Sequence, residues 1–149
     1  MNKKVLMTLT DNGWSQYMGL TGEVLNIYGT GMNKVTWSST PSTDTGLTWY
    51  KTSFNTPSQS DLDKGVILID IGENAMGLNR GHFYLNGIDM GHYNNVQQGG
   101  IMVQQYYFIP KDYLTPNGES NTFVIVEEFA NSTLSNINIV SSTVVVPQS

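Results

Sequence analysis

Apolar and polar positions along this chain alternate over several short stretches, and nowhere does an amphipathic helix repeat appear. Residues 5–10 (VLMTLT) read as a first strand, and Asp11-Asn12-Gly13 as a turn cluster. Residues 14–20 are mixed, with Gly19 and Gly22 bracketing a loop. Residues 23–28 (EVLNIY) alternate like a strand, with Val24, Asn26 and Tyr28 on one face and Leu25 and Ile27 on the other. A turn at 29–33, a short strand at 34–37 and a polar loop at 38–46 follow. Residues 47–54 (LTWYKTSF) are rich in aromatic and β-branched side chains and too short for a helix. Pro57 must lie beyond that ladder, because proline has no N–H to give. Residues 58–64 suit a single helical turn with Ser60 as N-cap. Residues 66–71 (VILIDI) are nearly continuously apolar, as in a central strand.

The clearest local signal is residues 81–93, GHFYLNGIDMGHY. Asn86-Gly87 between two extended runs predicts a type I′ hairpin turn, since both central residues of that turn need positive φ. Residues 94–100 form a polar loop, 104–109 a strand ended by Pro110, and 110–114 a helical turn. After a turn at 115–120, residues 121–128 (NTFVIVEE) are another strong strand, and 135–146 hold one or two more. About nine short strands separated by turn signals predict an all-β fold, a jelly-roll β-sandwich, over residues 1–149 as a single domain. The expected core between its sheets contains Phe83, Leu85, Val66, Leu68, Phe123 and either Val124 or Ile125.

Composition narrows the function classes. The 149 residues suffice for a core without staples. There are no cysteines, which excludes disulfides and zinc-thiolate sites. Net charge is −5 and the seven basic residues are scattered, so nucleic acid and anionic membranes are not expected partners. No apolar run reaches the length of a membrane span, and no signal peptide is read in the chain. Uncharged Asn, Ser, Thr, Gln and Gly carry the surface, which suits neutral hydroxylated ligands.

The ordered segments WSQYMGLTGEVLNIY, LTWYKTSFNTP, ILIDIGENAMGLNRGHFYLNGIDMGHYN and QQYYFIPKDYLTPNGESNTFVIVEE resemble the jelly-roll region of family 35 β-galactosidases, plant-type ones especially. The resemblance spans Trp14 to Glu128. It departs from the family pattern at His92, which replaces an arginine, at Asn79 or Arg80, which replaces a lysine, and at Met102-Val103, which replaces Gly-Pro. The family's catalytic glutamate pair lies on a (β/α)₈ barrel, which takes about 250 residues and alternating β and α elements. The resemblance therefore implies a galactose-binding-like accessory domain rather than the hydrolase. It further implies an extracellular, cell-surface or lysosomal setting as part of a larger protein. The expected partners are galactoside-containing glycans or an adjacent catalytic or assembly domain.

Candidate chemistry is sparse. Glu127 and Glu128 are adjacent on a strand, point to opposite faces and cannot work as a hydrolytic pair. His82 and His92 lie either side of the turn, but a zinc site would need a third ligand, for which Asp89 is the nearby choice. No cofactor is expected; a structural calcium in a loop is an open alternative. Sugar recognition needs an aromatic face and fixed polar groups. Trp14, Trp37, Trp49, Tyr93 and Tyr106 are the aromatic candidates, with Trp49 mid-strand and destined for the core. The expected carbohydrate rim is Trp37, His92, Tyr93, Asn94, Asn95 and Gln97, at the loop after the central hairpin. The competing reading is a purely structural or protein–protein assembly module. Asn131-Ser132-Thr133 is an N-glycosylation acceptor pattern.

Overall fold

The computed structural model describes residues 3–18, 21–72, 78–95, 104–135 and 137–143. Nine strands appear among them: β1 (Lys3–Thr8), β2 (Ser15–Met18), β3 (Thr48–Asn55), β4 (Val66–Asp70), β5 (Arg80–Leu85), β6 (Ile88–Asn94), β7 (Tyr106–Ile109), β8 (Ser120–Glu127) and β9 (Asn138–Ser142). Two short helices, α1 (Thr21–Leu25) and α2 (Gln59–Lys64), are the only α-helices among the described residues. The strands form a four-stranded sheet, β1-β9-β4-β7, and a five-stranded sheet, β2-β3-β8-β5-β6. Every pairing is antiparallel. Successive strands from β3 onward cross between the sheets except at the β5–β6 hairpin. This is an eight-stranded jelly roll with β2 added beside β3.

Alternation explains the core. On β3, Tyr50 and Phe54 face the other sheet, as do Phe83 and Leu85 on β5 and Phe123 and Ile125 on β8. Ile67, Ile69, Ile109, Ile137 and Ile139 meet them from the four-stranded sheet. Each such side chain removed from water contributes about 1.5–3 kcal/mol. The expected core positions Val66 and Leu68 are the wrong parity. They are half-buried on the outer face, while Ile67 and Ile69 point inward. In a run apolar at every position, hydrophobicity cannot choose the face. Val124 belongs to a second cluster, on the outside of the five-stranded sheet, with Trp49, Tyr84, Val126 and Ile27.

That second cluster exists because residues 21–37 fold over the sheet instead of joining it. The strand expected at 23–28 is α1 followed by turns. Ile27 N–H donates to Gly22 O at 3.0 Å, and Asn26 takes φ 55°. Gly22 lies so close to the Trp49 indole that a Cβ there would stand 2.6 Å from Trp49 Cε2. Tyr28 then stacks on Tyr84 with centroids 3.9 Å apart. The strand expected at 34–37 is likewise a 3₁₀ turn (Met32–Lys34) and a single bridge between Gln16 and Ser38. The cap of α2 is Ser58 rather than Ser60; its Oγ accepts from Asp61 N–H at 3.2 Å.

The hairpin turn has Asn86 at φ 52° and Gly87 at φ 81°, as type I′ geometry requires. Asn86 is also tied to β8: its N–H donates to Thr122 O at 2.9 Å, and its Oδ1 accepts from Thr122 N–H at 2.8 Å. Opposite Phe83 the register of β6 shifts. Gly91, at φ 91°, follows this bulge.

Candidate functional site

The bulge decides the fate of the expected rim. Past it, Tyr93 pairs with Gly81 and faces inward, fully buried. Its ring stacks on Phe83 at 4.4 Å, and its hydroxyl donates to Glu127 Oε2 at 3.0 Å. Burial and the neighbouring Glu127 carboxylate hold that phenol well above its ordinary pKa. Tyr93 is therefore a core residue and offers no exposed face. Asn95 is also buried, with its Nδ2 donating to Leu78 O at 3.0 Å. His92 and Asn94 do reach solvent, on the outer face of β6. Gln97 lies outside the described residues. Trp37 is remote from all of these in sequence: its Nε1 donates to Met32 O at 3.0 Å, and its ring packs against the outer cluster.

Glu127 and Glu128 take opposite fates. Glu127 is fully buried and accepts from Asn79 N–H (2.8 Å), Arg80 N–H (3.3 Å), Phe129 N–H (2.9 Å) and Tyr93 Oη–H. Burial raises its pKa, and these donors pull it back in part. Glu128 is an outer-face partner of Arg80 Nε at 2.6 Å. Among the described residues no three His, Cys, Asp or Glu side chains converge as a metal site would.

A concave site does exist, on the outer face of the five-stranded sheet. β3 alternates, so Trp49, Lys51 and Ser53 point away from the core that Tyr50 and Phe54 enter. Trp49 is covered by the 21–37 segment, but Lys51 and Ser53 are not. They floor a groove of about 420 Å³ that also includes Asn12, Trp14, Ser15, Met32 and Thr122. Lys51 Nζ stands 4.7 Å from the centroid of the Trp37 ring, and partial burial lowers its pKa. The wall beyond β2 is pinned by Thr52 Oγ1 donating to Gly13 O at 2.7 Å and by Gln16 Oε1 accepting from Ser42 N–H. Trp14 Nε1 is buried with no acceptor. An indole, a thioether, one ammonium and a ring of small hydroxyls suit a polyol ligand, with an apolar face for C–H groups and donors and acceptors for hydroxyls. Of the sequence candidates, Trp14 lines this groove and Trp37 adjoins it through Lys51. Lys51, Ser53 and Thr122 were missed, although the alternation of β3 marks the first two as outward-facing.

The profile of the β-galactosidase galactose-binding domain matches residues 47–121. Beta-galactosidase 14 of Arabidopsis thaliana is 35% identical over 136 residues, covering 89% of this chain and 14% of that protein. Beta-galactosidase 7 of Oryza sativa subsp. japonica is 32% identical over 142 residues, covering 92% of this chain and 17% of that protein. The chain thus spans less than a fifth of the length of these relatives. Among solved structures, the β-glucuronidase of Ruminococcus gnavus superposes with a TM-score of 0.57 at 15% identity, over 95% of this chain and 26% of that one. A β-glucuronidase from an uncultured Clostridium superposes at 0.54 and 16%, over 84% and 22%. These structural likenesses concern the fold alone. The profile, the plant relatives and the jelly-roll topology agree: the chain belongs to the family of β-galactosidase galactose-binding domains.

Proposed function

We propose that this chain is a non-catalytic carbohydrate-binding module that presents neutral β-galactoside-type glycans, acting beside a catalytic domain in an extracellular, surface or lysosomal glycosidase. The observation that carries this reading is the groove over Lys51, Ser53 and Thr122 with Trp14 and Trp37 beside it. Lys51 supplies a hydroxyl-binding ammonium whose position is fixed against an indole. The Ser53 and Thr122 hydroxyls, which have no partner among the described residues, supply exchangeable donors and acceptors. His92 and Asn94, exposed on the same sheet, form a second polar flank that a longer oligosaccharide would reach. Several of the twelve carboxylates are engaged by protein partners, among them Glu127 and Glu128 as above, Asp61 with Lys4 at 2.6 Å, and Asp70 with Gly72 N–H at 3.0 Å. The reading assigns no hydrolysis to this chain. An open groove that desolvates few hydroxyls gives a Kd of about 1 mM for a monosaccharide. Calorimetric titration with lactose and β-1,4-galactobiose tests it. Saturable binding by wild type and loss in Lys51→Met support it; no heat from any galactoside contradicts it.

One observation favours a purely structural module instead. On the outer face of the four-stranded sheet, Val5, Val140, Leu68 and Phe108 form one cross-strand row. Val5 and Phe108, its two ends, are 57% and 56% exposed, while Val140 between them is buried, and exposed apolar ends suit packing against another domain. Under this reading the galactoside titration is silent.

A further inference from the structure

The chain contains two histidines in 149 residues, and the fold sets them directly opposite each other. His82 on β5 pairs with His92 on β6, and their ring centroids are 4.3 Å apart at 59°. The hairpin that carries them is closed by a type I′ turn, and β5 is held on its other side by β8. The pair is therefore set before any ligand arrives.

The His82 ring is oriented from two further directions. It stacks on Tyr84, with centroids 4.9 Å apart and planes 16° apart. Its Nε2 lies in hydrogen-bonding contact with Asp89 Oδ1, which also accepts from Gly91 N–H at 2.7 Å. Asp89 Oδ1 is thus fixed by two partners, the His82 ring and the Gly91 backbone N–H. A carboxylate can only accept, so Nε2 carries the proton and Nδ1 of neutral His82 keeps the free lone pair. Neither that nitrogen nor either nitrogen of His92 has a partner among the described residues. A carboxylate bound to one ring nitrogen, with the other left open, is the arrangement that orients metal-binding imidazoles.

We propose that His82 and His92 form a two-imidazole site for a divalent d-block cation, copper(II) ahead of zinc(II), with Asp89 as the residue that positions His82. Two imidazoles bound cis to one ion, with metal–nitrogen distances of about 2 Å, have centroids about 4.5 Å apart, close to the separation here. A cis pair with the remaining positions open to water suits tetragonal copper(II), which the general affinity order also favours over zinc. With no third protein ligand converging among the described residues, this is an open, exchangeable site rather than a buried structural one. It shares no residue with the Lys51 groove, although His92 also belongs to the flank proposed for a longer oligosaccharide.

The chain offers a clean test, because without a tag it has no other histidine and no cysteine. Copper(II) is titrated into the tag-free full chain, followed by electron paramagnetic resonance and by thermal melting. The expected result is one equivalent bound, superhyperfine structure from two nitrogens, and a melting temperature that rises with copper. His92→Asn, an exposed substitution, should keep the wild-type melting temperature without metal and lose both the two-nitrogen signal and the copper-induced rise. Asp89→Asn should weaken copper binding about tenfold or more with two-nitrogen ligation retained, the signature of an orienting residue. Zinc should compete, but less tightly. Oxygen-only ligation in wild type, or copper binding unchanged in His92→Asn, would overturn the assignment.

Discussion

The two ends of β8 and the groove beside its middle use the same kinds of polar side chain to opposite ends. At the start of β8, Asn121 is fully buried. Its Oδ1 accepts from Asn86 Nδ2 (2.8 Å) and Thr115 N–H (2.9 Å), while its Nδ2 donates to Thr56 Oγ1 (2.8 Å) and Phe54 O (3.3 Å). At the other end, the Glu127 carboxylate accepts from four donors. These groups join the hairpin turn, β3, the 110–115 segment and the segment before β5 to a single strand. In the groove, Lys51, Ser53 and Thr122 lie on the same two neighbouring strands, yet their side chains form no comparable network. A buried polar group must be paired because leaving it unpaired costs 1–3 kcal/mol or more. A polar group left open to water bears no such constraint and is free to bind. Burial with complete pairing thus marks the scaffold, and exposure within a concavity marks the site.

The sharpest break of this contrast is Glu127→Ala. It leaves three backbone N–H groups without their acceptor and the Tyr93 hydroxyl with only Val126 O at 3.2 Å, so chemical denaturation should show a loss of about 3–5 kcal/mol. Asn121→Ala strands Thr115 N–H and takes from Asn86 Nδ2 one of its two acceptors, Tyr113 O remaining, and should cost about 2–3 kcal/mol by the same measurement. Gly87→Val forces a β-branched residue to positive φ at the turn, with its Cβ 3.3 Å from Gly29 Cα. A loss of about 1–3 kcal/mol is expected. Lys51→Met and Thr122→Val, in the groove, should change stability by at most about 0.5 kcal/mol while abolishing galactoside binding. A large loss of stability from Lys51→Met would erase the distinction between scaffold and site.

Acidity gives a finer probe of the scaffold. The pKa of Glu127 is raised in the folded chain, so the native state holds this proton to higher pH than the unfolded chain does. Its contribution is full below the ordinary glutamate range and is lost as pH rises through the folded value. Stability measured upward from pH 4 should therefore carry a downward component that Glu127→Gln removes.

Much of the fold was legible in the sequence. Asn86-Gly87 specifies its turn chemically, and β3 and β8 carry enough β-branched and aromatic residues to exclude other structures. Residues 23–28 misled because six alternating positions fit one strand or one helical turn equally well. The decisive fact, Gly22 packed on the Trp49 indole, is tertiary. Tyr93 misled because its sequence neighbours are amides, whereas its face is set by pairing with Gly81 beyond a bulge. The groove draws on the 12–15 segment, Met32, Ser39, β3 and β8, so no local pattern could announce it; only Trp14, Trp37 and the outward parity of Lys51 and Ser53 pointed there. His82 and His92 were visible as a pair about the turn, but the Asp89 contact that fixes the tautomer needed the bulged register.

The proposed ligand site is the Lys51 groove rather than the end of β6. A nitrogen–proton correlation titration of the full chain with methyl β-galactoside tests it most directly. Fast-exchange shifts are expected at Lys51, Ser53, Thr122 and the Trp14 and Trp37 indole N–H groups, saturating with a Kd of about 1 mM. Shifts confined to His92–Asn95, or none up to about 100 mM sugar, a hundredfold above that Kd, would contradict it.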